Sequence, residues 1–416
     1  MAAKVGDVPF LGMDKNRPDQ TAIRSQFPAL ESGFAFLENA GGSQLPRGVN
    51  QAMSDFMRDS YVQTTAGYPA SDRATKTALD AHSVCETLMG ADNAGKVVLG
   101  ASTTQLVFML AEAFSRALKP GDEIIVSKAN HEANAGPWAR LERFGVVVKW
   151  WGVDKETGES SVPELESLFS DQTKLVVFPH TSNLLGNIID VRAVTKMVHA
   201  AGGQVVVDGV AYAPHGLMAV REWDCDFYVF SAYKVYGPHI AALYGKNEAW
   251  AGLEGANHFF VDPNEVPRKF ELGCLSYEAC AGLVAVGDYY AFLAGRNEFD
   301  RETVRFASET MGALEQPLVR RLVEWLQCRR GVRMVGPGVE GRVPTVSFVS
   351  NKTPSSKIAD HVNQTGIGIR NGHMYSHRLT TCLGVDPDEG FVRVSAVHYN
   401  TEEELARLFE RLEEVV

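Results

Sequence analysis

The residues best placed to do chemistry are an aspartate and a lysine that each follow an apolar run. Asp208 ends Gln204-Val-Val-Val-Asp208, and Lys234 lies in Asp226-Phe-Tyr-Val-Phe-Ser-Ala-Tyr-Lys-Val-Tyr-Gly-Pro-His239. An ammonium carried by a buried strand into a glycine-proline turn is costly unless it is paired or neutralised. An amine can condense with an aldehyde carbon, and a carboxylate can keep a proton on a ring nitrogen. Taken alone, Lys234 also reads as a surface lysine after an ordinary strand; Asp208 shortly upstream tips the balance towards a site.

The elements that must position this pair alternate. Glu123–Val126 reads as strand, His131–Phe144 as helix, Val146–Trp151 as strand, Pro163–Ser170 as helix, Leu175–Phe178 as strand, Val191–Ala201 as helix, and Gln204–Asp208 as strand. Such alternation implies parallel βαβ units with right-handed crossovers, whose ligands lie beyond the carboxyl ends of the strands. That rule gathers His131, His180, Asn183, Asp208, Ser231 and Lys234 into one crevice. Earlier, Val97-Val-Leu-Gly-Ala-Ser-Thr-Thr-Gln105 meets a helix start, with Ser102 and Gln105 spaced as a capping box. The free N–H groups there suit a phosphate near Thr103 and Thr104; a capped helix without a ligand is the other reading. A carboxylate for a pyridine nitrogen and a lysine for an aldehyde are what pyridoxal phosphate requires.

Residues 1 to about 35 read as an irregular arm with a short helix near Gln20–Phe27. After about residue 250 the alternation weakens. Asn257-His-Phe-Phe-Val261 and Phe270-Glu-Leu-Gly273 read as loops, helices follow over about Tyr277–Leu293 and Arg301–Gln327, and the remainder reads as a small α+β domain. Its last helix opens with the capping box Thr401-x-x-Glu404.

The chain has 416 residues and a formal net charge of -11, which disfavours a nucleic-acid partner because phosphate contacts need clustered Lys and Arg. No run approaches the roughly 20 apolar residues that span a bilayer, and no secretory signal opens the chain, so the expected location is cytoplasmic, away from membranes. Six cysteines (Cys85, Cys225, Cys274, Cys280, Cys328, Cys382) show no CxxC spacing, and no metal site is expected.

In combination, these motifs resemble the class V aminotransferases among the fold-type I pyridoxal phosphate enzymes, and within them the cysteine desulfurase-like branch. The resemblance spans nearly the whole chain. It rests on Asn39-Ala40, Thr103-Thr104, His131-x-Ala-Asn134 with Pro137-Trp138, Ser182-Asn-x-x-Gly186, Val207-Asp-Gly209, Asp224-Cys-Asp-Phe-Tyr228, Ser231-x-x-Lys-x-x-Gly-Pro238, Arg370-x-Gly-His373, and Arg393 with Tyr399-Asn-Thr401. It implies an α/β fold: a large cofactor domain over 36–295 with a mostly parallel seven-stranded sheet, a small C-terminal α+β domain over 296–416, and an arm, 1–35, packed on the small domain. It also implies a homodimer with shared active sites, the stretch Phe270-Glu-Leu-Gly273 crossing to the neighbour. By the same similarity Lys234 forms the Schiff base and moves protons. Asp208 pairs with the ring nitrogen, His131 stacks on the ring, and Thr103, Thr104, Ser231 and Tyr233 stand at the phosphate. Asn183 reaches the ring hydroxyl or the substrate, and Asn39, Arg370 and Arg393 bind the substrate, Arg393 forking its carboxylate.

Three departures bear on the reaction. The persulfide-forming cysteine of the nearest desulfurases is replaced by Tyr375, and Cys382 substitutes for it only if its loop reaches the cofactor. The family's glutamine three residues after the aspartate is Ala211. Tyr233 and Cys274 replace a histidine and a threonine associated with phosphate binding. These departures also mark a divergent subgroup similar to a fungal decarboxylating enzyme that uses aspartate to build carbon–carbon bonds. The expected activity is carbon–sulfur elimination from a small amino acid. The alternative is decarboxylation of an acidic amino acid such as aspartate with proton or aldehyde capture, for which His239, His258, His373 and His377 are further candidates. A pyridoxal phosphate-binding protein without turnover is the remaining reading.

Overall fold

Short runs of Val, Ile and aromatic residues form the strands, and glycine or proline closes most of them. The computed structural model describes residues 17–416; the first part of the expected arm, 1–16, lies outside the described residues. Strand β1 (Ala35–Phe36) precedes seven strands that form the large sheet: β2 (Gly95–Gly100), β3 (Glu123–Ser127), β4 (Val147–Trp151), β5 (Thr173–Pro179), β6 (Gln204–Asp208), β7 (Phe227–Ser231) and β8 (Ala241–Lys246). Their order is β2-β8-β7-β6-β5-β3-β4. The pairs among β4, β3, β5, β6 and β7 are parallel, whereas β8 runs antiparallel to both β2 and β7. The sheet is therefore mostly parallel. Sequence patterning passes over β8 because Ala241, Ala242 and Gly245 carry little β propensity; the ladders on both sides hold it in place.

The sheet is buried on both faces, as parallel sheets are. One face packs with Leu283, Val286, Tyr289 and Tyr290 of the helix Tyr277–Ala294, and the other with Leu106, Leu110 and Phe114 of the helix Thr103–Ala117 and with Trp138. The stretch expected as one helix over His131–Phe144 is instead three short pieces, Glu132–Asn134, Gly136–Ala139 and Arg140–Phe144. Pro137 lacks the N–H that a continuous helix needs there, and Gly136 weakens the turn before it. The break leaves His131 as the cap of the first piece, facing the strand ends.

The small domain contains β9 (Val332–Val335), β10 (Thr345–Ser350), β11 (Ile367–Gly368), β12 (Arg370–Gly372) and β13 (Phe391–Ser395). An antiparallel sheet in the order β12-β13-β10-β9 is covered by the helices Ser355–Asn363 and Glu402–Glu413, and β11 pairs with β1. The Thr401–Glu404 capping box is present. The 27-residue helix Arg301–Gln327 is shared: Val304, Ala307 and Met311 lie in the large core, Leu318, Val319, Leu322 and Leu326 in the small one.

The described part of the arm, residues 17–35, touches the small domain and the large one. Its helix Gln20–Ser25 is followed by Phe27, which inserts among Tyr236, Tyr289 and Tyr399 with ring centroids at 6.2, 5.4 and 4.7 Å. Arg24 pairs with Glu404 at 3.0 Å. No described helix is long and apolar enough to cross a membrane. Phe27 is 0% exposed, so Phe27→Ala is expected to cost about 3–5 kcal/mol, measured as a lowered urea midpoint.

Candidate active site

Four pieces of backbone end at one hollow. β5 ends at Pro179, β6 at Asp208 and β7 at Ser231, and the helix Thr103–Ala117 points its amino terminus at them. Ser102 caps that helix by accepting from Gln105 N–H at 3.1 Å. The capped turn leaves backbone N–H groups and partial positive charge facing the hollow, as an anion site requires. Thr103 and Ser231 join across its floor, Oγ1 to Oγ at 2.7 Å, while Thr104 is exposed at the rim.

Asp208 and Lys234 both line the hollow and are 6% and 8% exposed. Asp208 Oδ1 accepts from Val210 N–H at 2.9 Å, which leaves Oδ2 for a ligand. Burial raises its pKa; the Val210 hydrogen bond and the Lys234 charge oppose that rise. The Lys234 amine makes no ion pair among the described residues and lies 5.9 Å from the centroid of the Tyr233 ring. Burial, reinforced by Arg393, lowers its pKa from 10.5 to about 8. The amine is therefore substantially neutral in mildly alkaline solution and ready to act as a nucleophile or base.

His131 closes the hollow from the side. Its Nδ1 accepts from Ala133 N–H at 3.0 Å, so a neutral ring carries its proton on Nε2. Burial first, then Lys234 and Arg393, lower its pKa to about 4. A neutral, flat ring suits stacking on a planar group. The Tyr375 ring lies 5.2 Å from it at 32°.

Asn183 lines the hollow, and its amide also fixes the loop before Arg378: Nδ2 donates to Met374 O at 2.9 Å and Oδ1 accepts from Ser376 Oγ at 2.7 Å. Met374 and Tyr375 are both left-handed, at φ 48° and 61°, a strain of roughly 1–2 kcal/mol per residue. Further bonds hold it: Glu132 N–H to Tyr375 O at 2.8 Å and Tyr375 N–H to His373 Nδ1 at 3.0 Å. An outer groove of about 640 Å³ runs on from the hollow past Thr104, His131, Tyr233, Tyr375, Arg140 and Arg378. Arg378 lies over Trp150 at 4.3 Å and pairs loosely with Glu132 at 3.3 Å; Arg140 lies over Phe108 at 5.5 Å and makes no ion pair among the described residues.

Arg393, on β13, is 2% exposed. It donates to Asn183 O at 3.0 Å and to Glu38 Oε1 at 2.8 Å. Arg370 sits opposite it on β12, with Nη1 3.5 Å from the same Glu38 oxygen. Neither arginine lines the hollow, but the Arg393 charge is felt by both Lys234 and His131.

Several candidates lie elsewhere. Asn39 is not at the hollow: its Nδ2 contacts Phe36 O, Ser395 O and Asn400 Oδ1 at 2.7, 2.9 and 3.0 Å, and its Oδ1 accepts from Tyr399 O–H. An amide with every group engaged in joining the domains has none left for a substrate. His180 turns away from the hollow, stacks on Tyr212 at 3.6 Å and bonds Tyr228 through Nδ1 at 2.9 Å; burial lowers its pKa to about 3. His239 is exposed and stacks on Tyr233 at 4.9 Å, and His258 is exposed beside Phe260. His373 is half-buried with its ring 6.3 Å from that of Tyr375, and His377 is exposed on the helix His377–Cys382. Cys382 closes that helix and lines neither the hollow nor the groove. Among the described residues no group of three or more His, Cys, Asp or Glu is arranged to hold a metal.

Sequence reasoning missed Glu38 and Thr181. Glu38 stands next to a quoted motif, but only the strand register shows two arginines around it. Thr181 lines the hollow with a buried hydroxyl that has no partner. It lies between His180 and Ser182, and its orphaned oxygen is visible only in three dimensions.

Comparison with known proteins finds likeness along nearly the whole chain. Residues 35–408 match the family model Aminotransferase class-V. The chain is 37% identical to the aminotransferase-like protein FGM3 of Gibberella zeae over 95% of this chain and 98% of that one. It is 31% identical to the cysteine desulfurase-like protein ustD of Aspergillus flavus over 97% and 92%. Among solved structures it is similar to the cysteine desulfurase CsdA of Escherichia coli, with a TM-score of 0.80, 26% identity and coverage of 96% and 100%. A cysteine desulfurase from Thermococcus onnurineus gives a TM-score of 0.84 at 25% identity, covering 94% and 96%.

The lowered pKa of Lys234 has a measurable consequence. Between about pH 8 in the folded state and 10.5 in the unfolded state, the unfolded chain binds the extra proton, so stability rises with pH. The stability of the wild type relative to Lys234→Met should therefore climb across that window and stay flat below it, as read from urea unfolding at stepped pH.

Proposed function

Because the chain belongs to the class V aminotransferase family, whose members are pyridoxal phosphate-dependent enzymes, we propose that it is a cysteine desulfurase-like enzyme that eliminates sulfur from a small amino acid. The observation that carries this reading is the Lys234 amine, buried and without an ion pair among the described residues, in the same hollow as a carboxylate with one free oxygen. The hollow fits pyridoxal phosphate. Lys234 would hold its aldehyde carbon, Asp208 Oδ2 its ring nitrogen, and the helix at Thr103 with Thr104 and Ser231 its phosphate. The orphaned Thr181 hydroxyl and Asn183 remain for the ring oxygen that Ala211 cannot reach.

Bound there, the cofactor supplies an electron sink for a bond broken at the substrate's α-carbon. The neutral His131 ring would pack on that planar group without adding charge that competes with the sink. Arg393 receives the α-carboxylate in a fork, which fixes the amino acid's orientation. Lys234 Nζ, freed when the substrate's amino group takes its place, would take the α-proton. The carbon–sulfur bond then breaks with its electron pair leaving on sulfur; one water enters, and sulfide, pyruvate and ammonia leave. Among the described residues no thiol lines the hollow or the groove, which supports elimination over transfer of the sulfur to a protein cysteine.

One observation favours a second reading, decarboxylation of an acidic amino acid with capture of the carbanion by a carbonyl compound. The outer groove adjoins the hollow and offers space and the cation of Arg140 for a second reactant.

Borohydride reduction of the protein loaded with pyridoxal phosphate is expected to fix the cofactor to Lys234 alone, read by peptide mass, with Lys234→Ala unlabelled. Cysteine should give sulfide and pyruvate. Alanine and carbon dioxide from aspartate, with cysteine inert, would replace the first reading by the second.

A homodimer completes the proposal. Phe259, Phe260 and Leu272 are 98%, 68% and 49% exposed. The loop that presents them has a firm base: Lys269 Nζ donates to Trp250 O and Leu253 O at 3.1 and 3.0 Å, and Asn257 Nδ2 to Glu271 O at 3.0 Å. An apolar tip on a fixed base suits burial against a second copy. Light scattering is expected to give twice the chain mass for the wild type and a shift towards the single-chain mass for the double variant Phe259→Ser, Phe260→Ser.

A further inference from the structure

Arg393 faces a physical difficulty before any substrate arrives. A guanidinium that is 2% exposed cannot wait unpaired, because an uncompensated buried charge is strongly destabilising. Its Nη1 is tied to Asn183 O, and its Nε is buried without a partner. Among the described residues, charge neutralisation comes only from Glu38, whose Oε1 is 2.8 Å from Nη2. A carboxylate therefore already occupies the guanidinium that is to receive a carboxylate.

The surroundings of Glu38 hold it at that point while allowing it to leave. Its backbone bridges to Ser395 beside the end of β13 and caps the turn Asn39–Gly41, whose first residue is locked between the domains. The side chain folds over Gly41, where any Cβ would collide with the carboxylate. Glu38 is 31% exposed and Arg370 is 51% exposed, so the second cation lies on the solvent side of the same oxygen, 3.5 Å away. The β12–β13 register sets Arg370 directly opposite Arg393. A short swing takes Glu38 from the buried arginine to the exposed one without leaving it unpaired.

We propose that Glu38 is an exchangeable counterion: it stands in for the substrate carboxylate on Arg393 and moves to Arg370 when that carboxylate binds. This rests on the reading that Arg393 receives the α-carboxylate. The exchange sets substrate affinity, because each arriving carboxylate must displace an internal one. It also gives Arg370 a positioning role without direct contact with the reacting atoms.

The test uses propionate, a carboxylate without an amino group, titrated calorimetrically into the full chain loaded with pyridoxal phosphate. If Arg393 is free in about a tenth of molecules, Glu38→Gln should bind propionate about tenfold more tightly than the wild type. Arg370→Gln removes the exposed resting place and should bind it several-fold more weakly; this substitution at an exposed position keeps the test open if Glu38→Gln does not fold. Unchanged affinity in the folded variants, or weaker binding to Glu38→Gln, would overturn the exchange and make Glu38 a static support. Arg393→Gln separates the two ideas. Loss of propionate binding in that variant, with Glu38→Gln and Arg370→Gln like wild type, removes the exchange and leaves the substrate reading intact; propionate binding that survives in Arg393→Gln removes both.

Discussion

The side chain of Asn39 is buried between the two domains, and its amide reaches Phe36 on its own segment and Ser395, Tyr399 and Asn400 on the other side. Tyr399 accepts in turn from Gln44 N–H at 3.1 Å, and Ser395 Oγ accepts from Ala40 N–H at 2.8 Å. A buried polar cluster is favourable only when its members are satisfied together. This one fixes the segment that carries Glu38 against the strand that carries Arg393. The distance between the carboxylate and the guanidinium follows from that seam, and so does the positive potential at Lys234 and His131.

The hollow combines two kinds of burial with opposite demands. The tyrosines and His398 behind the Lys234 turn are buried as neutral groups: Tyr236 O–H lies 3.0 Å from His398 Nδ1, and burial lowers the His398 pKa to about 3. Lys234 and Asp208 are buried as groups that can change charge. The first set forms a rigid, apolar wall; the second keeps unpaired atoms aimed into the hollow. Low dielectric strengthens any charge interaction made there, including that of Arg393 with Lys234 and His131.

What was legible in the sequence and what was not divides along chain distance. Asp208, Ser231 and Lys234 could be read because each ends a local apolar run, and Thr103 because it follows a cap; the parallel-sheet rule then brings them together without knowledge of the register. The helix expected from His131 to Phe144 failed on a local signal, Gly136-Pro137, that outweighed apolar spacing. Asn39 and Arg393 were visible as residues but not as partners. The long-range contacts that define them join residues 210 or more positions apart, and only strand pairing and domain packing bring such residues together. Thr181 gave no signal because an unpaired hydroxyl is a property of its surroundings.

The shared helix Arg301–Gln327 has a mechanical consequence. Its last buried apolar residue in the large core is Met311, with Leu314 packed against that core, its first in the small core is Leu318, and Pro317 lies between them. Proline lacks the N–H that would bond the carbonyl of Ala313, so the beam joining the domains is missing a rung where it passes from one to the other. A helix bends most easily at such a rung, while the Asn39 seam ties the same two domains through its hydrogen bonds. The two domains are thus joined by a beam with one weak point and by a hydrogen-bonded seam, and a change of angle between them would also shift Glu38, on one side of that seam, against its arginines on the other.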